Sequence, residues 1–161
     1  KVSVHDFPDK KLGKVIPYFI LSFVDVILIL VLSWLVFDLP VKGSLLLLLA
    51  ESMLYIFMSL SLGVLISTVA KNMQQAIFIS LVGMMLPTIL LSGFIFPIEN
   101  MPEVYQWVSA IFPPRYFIVI IKNIMVKGTG FLFVWKETLI LLLFTLAFIG
   151  LSIRKFKVRI Q

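Results

Sequence analysis

Residues 112–130 read FPPRYFIVIIKNIMVKGTG. A Pro-Pro-Arg turn runs into an apolar stretch, and Lys122 sits where a membrane span would have its middle. Either this stretch crosses a bilayer, or it dips in and returns to the side it came from. The choice fixes the topology of everything around it.

Working outward, four apolar blocks flank the stretch. Residues 15–37 carry only Asp25, 45–70 only Glu51, and 76–96 no charge; 131–153 are interrupted near their start by Lys136 and Glu137. About 20 helical residues cross a hydrocarbon core of roughly 30 Å. All four qualify as spans, the last with Trp135 and Lys136 at the interface. Lys1, Lys10, Lys11 and Lys14 precede the first span, Lys71 lies between the second and third, and Arg154, Lys155, Lys157 and Arg159 follow the last. Positive residues concentrate on the cytoplasmic side, which puts both termini inside and requires an even number of crossings. Residues 102–130 are therefore expected to re-enter rather than cross. Pro102 opens a short helix, EVYQWVSAI, and Pro113-Pro114 stops it, since proline lacks the N–H and clashes with the preceding turn. Nine helical residues reach only about 14 Å. A second short helix, 115–126, climbs back toward the Gly-Thr-Gly turn.

The expected fold is thus an all-α integral membrane protein with four transmembrane helices and a re-entrant helical hairpin before the last. A cytoplasmic segment (1–14) precedes the membrane domain (15–153), and a basic tail (154–161) follows it. Composition agrees: 61% of the 161 residues are hydrophobic and mean hydropathy is +1.11. The net charge of +6 is gathered at span ends, which marks topology rather than a nucleic-acid surface.

Little catalytic chemistry is available. Cysteine is absent and His5 is the single histidine, which excludes thiolate metal sites, disulfides and a Ser-His-Asp set. Gly13-Lys14 is followed by Val, so no phosphate-binding loop forms there. No enzyme activity and no cofactor of its own are expected.

Charge within a membrane is costly, so the buried ionisable groups stand out. Asp25 falls near mid-depth of its span and Glu51 about 9 Å below the outer end of its own. One reading is a proton or cation relay. The favoured one is structural, in which Asp25 or Glu51 is held by a hairpin base, Arg115 or Lys122, or by hydroxyls such as those of Tyr18 and Tyr55. Ser52, Tyr55, Ser59, Gly63 and Ser67 form one stripe on the second span, Gly83 and Pro87 predict a kink in the third, and Thr138, Thr145 and Ser152 recur at heptad spacing on the last. Such stripes favour close helix–helix contact.

LGKVIPYF at 12–19, LSGFIFPIENMPEVYQWVSAIFPPRYF at 91–117, IIKNIMVKGTG and a last span ending in basic residues together resemble the permease half of ABC-2 type exporters, in particular bacterial efflux permeases. In that family the hairpin before the last span re-enters from outside. The resemblance implies a transmembrane subunit of the inner membrane that dimerises, with itself or a related permease. ATP would be bound by a separate ATP-binding cassette subunit, with a periplasmic adaptor as a further candidate partner. The family has six spans and four are visible, so the chain is expected to be the C-terminal part of such a permease. Contact with the ATPase is expected near Asp9, Lys10, Lys11 and Lys14, with Lys71 and Asn72 close by; the Lys10-Lys11 pair fits a plain topology anchor as well. The hairpin, turning at Pro113 and Pro114, would line an outer gate for a lipophilic or amphipathic substrate. Two other classes fit the residues: a non-transporting membrane scaffold, and an ion-coupled transporter using Asp25 and Glu51.

Overall fold

The computed structural model describes residues 6–158. Lys1, His5, Arg159 and the end of the basic tail lie outside the described residues. Among the described residues all regular structure is helical. The chain up to Pro40 forms one compact unit and everything from Val41 onward a second.

The first unit is α1, Asp6–Phe37, whose apolar part, Val15–Phe37, is long enough to span a membrane. Asp9, Lys10, Lys11 and Lys14 fall in its opening turns, before Pro17. Past Phe37, Asp38 takes a positive φ of 51° and Pro40 follows, so the helix cannot continue.

The second unit begins with α2, Leu45–Val69. Its N-terminus is capped by Ser44, whose hydroxyl accepts from the Leu47 N–H at 3.4 Å. The next span, Met73–Leu91, is built from α3 (Met73–Phe78), a π-helical stretch (Ile79–Met85) and α4 (Leu86–Leu91). The irregularity expected at Gly83 and Pro87 takes this form: proline removes a donor from the ladder, and the turns before it widen to the i→i−5 register.

This span starts at Met73 rather than residue 76. Asn72 Oδ1 accepts from Gln75 N–H, and Gln75 Oε1 accepts from Lys71 N–H, both at 2.8 Å. The reciprocal cap extends the helix past the purely apolar block. It ends at Leu91 rather than residue 96 because Gly93 has φ +81°, a conformation glycine adopts at little cost and one that stops a helix.

Two short helices follow a turn at Ile98–Asn100. They are α5, Glu103–Ser109, and α6, Pro114–Ile121, which continues as a π-turn through Val126. Pro114 does more than stop α5: it opens α6, where its fixed φ suits the first helical position. The arms meet at 93°, an open V rather than two antiparallel legs. Last comes α7, Phe131–Val158, with its apolar part reaching Lys155. The core of this unit lies where α2, α6 and α7 meet, at Leu48, Met58, Ile120, Ile124, Val134 and Leu141.

Candidate functional site

Two places in the second unit hold the ionisable groups that the sequence singles out. The first is the seam between α2 and α7. The backbone N–H of Gly43 donates to Ile124 O at 3.0 Å and that of Lys42 to Met125 O at 3.2 Å. These bonds tie the start of α2 to the end of the α6 turn. The approach is so close that a Cβ on Gly43 would stand 2.6 Å from Ile124 O. Just inside, Tyr55 stacks on Phe117 with ring centroids 4.1 Å apart and planes within 1°.

Glu51 is only 3% exposed. Its Oε1 lies 2.7 Å from Thr138 Oγ1 of α7, and that hydroxyl also lies 2.9 Å from Val134 O. Glu51 Oε2 is buried with no partner among the described residues. Glu51 is six residues past the start of α2 and Thr138 seven past the start of α7. At equal rise per residue the two side chains arrive at one depth.

The second place is the corner of the V. Arg115 Nη1 donates to Gln106 O at 2.8 Å and to Ser109 Oγ at 2.6 Å. Tyr116 O–H donates to Ala110 O at 2.9 Å. Further along, Lys122 Nζ donates to Gly93 O at 3.0 Å. Gln106 lies in the last turn of α5, and Gly93 just past the end of α4. The last carbonyls of a helix have no intrahelical partner and carry partial negative charge. Arg115 adds a charged donor to Gln106 O, which already accepts from the Ala110 N–H and the Ser109 hydroxyl, and Lys122 bonds the carbonyl just past α4.

That arrangement corrects the expected ion pair. Neither Arg115 nor Lys122 is bonded to Glu51, because both are taken up by carbonyl oxygens of their own neighbourhood. The alternative, a hydroxyl of a neighbouring span, is what meets the carboxyl, though the residue is Thr138 of α7 rather than Tyr18 or Tyr55. Thr138 was visible in the sequence only as part of a heptad stripe, and the shared depth of residues 51 and 138 was the signal that identifies it. Asp25 is exposed on α1, with no polar group bonded to it among the described residues of its own unit. Lys71 is exposed at the α2–α3 turn, where the Asn72 side chain is engaged in the cap.

The family model for the ABC-2 type transporter membrane domain matches residues 9–126. Over 150 residues the chain is 36% identical to the probable multidrug ABC transporter permease YbhS of Escherichia coli (strain K12), covering 93% of this chain and 40% of that protein. It is 34% identical over 134 residues to the probable multidrug ABC transporter permease YbhR of the same organism, covering 83% and 36%. Over 124 residues it is 30% identical to ABC transporter G family member 20 of Dictyostelium discoideum, covering 76% and 17%. The chain thus spans well under half the length of these relatives. No solved structure matches it. With four membrane-length helices and a bent pair ahead of the last among the described residues, and the family match running from α1 through the bent pair, the chain belongs to the ABC-2 type transporter family.

Proposed function

We propose that this chain is part of the transmembrane subunit of an ATP-driven exporter that moves lipophilic or amphipathic molecules out of the cytoplasm or inner leaflet. The observation that carries the reading is the α5–α6 V. It is a bent, internally bonded element set against α2 and α7 just ahead of the final span. Buried non-helical backbone at membrane depth is tolerable where protein or a water-filled path surrounds it, and a gate provides such surroundings. The exposed Val104, Tyr105, Trp107 and Ile111 on and just after α5 offer an apolar and aromatic rim, suited to amphipathic molecules at an interface. ATP hydrolysis belongs to a separate ATP-binding cassette subunit docking at the opening turns of α1 and the Lys71-Asn72 turn. The permease works as a homo- or heterodimer in the inner membrane, with both termini cytoplasmic and an adaptor as a further partner.

The deciding experiment reconstitutes the full-length permease with its cassette subunit and follows ATP-dependent movement of a fluorescent amphiphile. Transport that requires both subunits is expected; its absence with both subunits present and folded overturns the reading. Topology has its own check. A cysteine at Gly130, where an added Cβ meets nothing within 4 Å, should react with an impermeant reagent from outside and one at Gln161 should not. Reaction at Gln161 from outside would make the V a full crossing.

A further inference from the structure

Thr138 is short of one hydrogen. A hydroxyl carries a single proton to donate, yet Oγ1 lies at bonding distance from two oxygens, Val134 O at 2.9 Å and Glu51 Oε1 at 2.7 Å. A carbonyl can only accept, so a back-bond to Val134 O takes up the Thr138 hydrogen wherever it forms. This is the ordinary back-bond of hydroxyl residues inside helices. Thr145 makes it to Leu141 O and Ser52 to Leu48 O, both at 2.8 Å. With that back-bond made, the 2.7 Å contact draws its hydrogen from the carboxyl; with Glu51 ionised, the one hydroxyl hydrogen would leave one of the two contacts empty.

We propose that Glu51 is a proton-binding site in the α2–α7 seam, filled as a neutral carboxylic acid while the seam is closed. Glu51 Oε1–H donates to Thr138 Oγ1, and Thr138 Oγ1–H donates to Val134 O. Every short contact then has one hydrogen. Oε2 is left as a carbonyl oxygen without a partner, a far smaller penalty than an unpaired buried charge.

Among the described residues of this unit no cation is bonded to Glu51. On α2 the nearby titratable group is Tyr55. On α6 and its π-turn they are Arg115, Tyr116 and Lys122, each hydrogen-bonded elsewhere. On α7 they are Lys136, exposed and 5.9 Å from the Trp135 ring centroid, and Glu137, whose buried Oε2 also lacks a partner and would add a like charge.

Release follows from the same geometry. If α2 and α7 part near their starts, water reaches residue 51, the Oε1–H bond breaks, the proton passes to water, and a hydrated carboxylate remains. Closing the seam requires the proton back. The release step rests on the transport reading; occupancy in the closed seam does not.

Infrared spectra of the full-length permease with its cassette subunit, in lipid vesicles at neutral and mildly alkaline pH, test both parts. The resting complex should show the C=O stretch of a protonated carboxyl, displaced in D2O and lost in Glu51→Gln. Identical spectra for wild type and Glu51→Gln in that region overturn the proposal. Should Glu51→Gln fail to assemble, Thr138→Val retains the carboxyl and should move the band without removing it; an unmoved band overturns the assignment. Trapping the ATPase in its transition state should abolish the band if parting the seam empties the site. A band that persists on trapping refutes release while leaving occupancy standing. Failure of ATP-dependent transport in the wild type would instead remove the transport reading, with the resting band unaffected.

Discussion

The corner of the V and the α2–α7 seam meet the same difficulty, ionisable groups at membrane depth, by opposite means. At the corner the charges stay. Arg115 and Lys122 sit against carbonyls at the ends of α5 and α4, where helix dipoles favour a cation. At the seam the group is an acid, set several residues inside two helices whose N–H groups are already used within the ladders. A single hydroxyl, that of Thr138, is within reach of the carboxyl there, and protonation of the acid is the means we propose. The contrast teaches that a buried cation can borrow the backbone of neighbouring helix ends, whereas an acid in mid-helix has only side chains to call on.

The largest effect should come from breaking the corner. Arg115→Met keeps much of the apolar stem but removes the charged donor shared by Gln106 O and Ser109 Oγ, which stay bonded to each other. Hydrogen bonds to charged groups contribute roughly 1.5–3 kcal/mol each. A loss near roughly 3 kcal/mol is expected in unfolding of the full-length permease in nanodiscs. Arg115→Lys should recover part of it, since one donor can still reach Gln106 O. A wild-type-like Arg115→Met would mean the corner is held by its prolines and the Tyr116–Ala110 bond without the guanidinium.

Next comes the strap joining the seam to the V. Gly43→Ala drives a methyl into Ile124 O at 2.6 Å, and backbone cannot swing aside as a side chain does. Overpacking of this kind costs about 1–3 kcal/mol. Gly130→Ala, in open space, is the matched control and should be nearly silent.

The cytoplasmic turn calibrates both against water. Asn72→Ala removes the cap on α3, worth about 1 kcal/mol. Because this turn lies far along α2 from Glu51, the loss should leave the seam's infrared band in place. A shift of that band on Asn72→Ala would show that the two ends of α2 are coupled.

How much of this was readable follows from which groups do the bonding. The spans were legible because each is an apolar block bounded by charges, and the bend because Pro113-Pro114 and the charge parity point the same way. The limits of the third span were missed at both ends. Its start is set by two amide side chains, Asn72 and Gln75, and its end by the φ of Gly93 in a stretch that remains apolar to Phe96; hydropathy registers neither. The partners of Arg115 and Lys122 were illegible for a deeper reason. They are mostly backbone oxygens, which every residue carries and no letter of the sequence marks. Sequence reasoning therefore matched base to acid, with hydroxyls of neighbouring spans as the alternative, and it is a hydroxyl that meets Glu51. The Glu51–Thr138 contact was within reach, because distances of six and seven residues from two helix starts at the same end imply nearly equal depth.

Thr138→Val should have the smallest effect, and the size of that effect decides how the seam works. Valine matches threonine in shape but can neither accept from Glu51 nor donate to Val134 O. If Glu51 is neutral, one hydrogen bond between helices is lost. Such bonds within a bilayer average about 0.6 kcal/mol. If Glu51 is a carboxylate, the substitution takes away its one donor and leaves a buried, unpaired charge, at a cost of roughly 3–5 kcal/mol. The two states differ several-fold in the same measurement on the same variant. A loss below roughly 1.5 kcal/mol, with the carboxyl band moved but present, fits the neutral acid. A loss comparable to that of Arg115→Met would place an ion in the seam and make the corner and the seam alike after all.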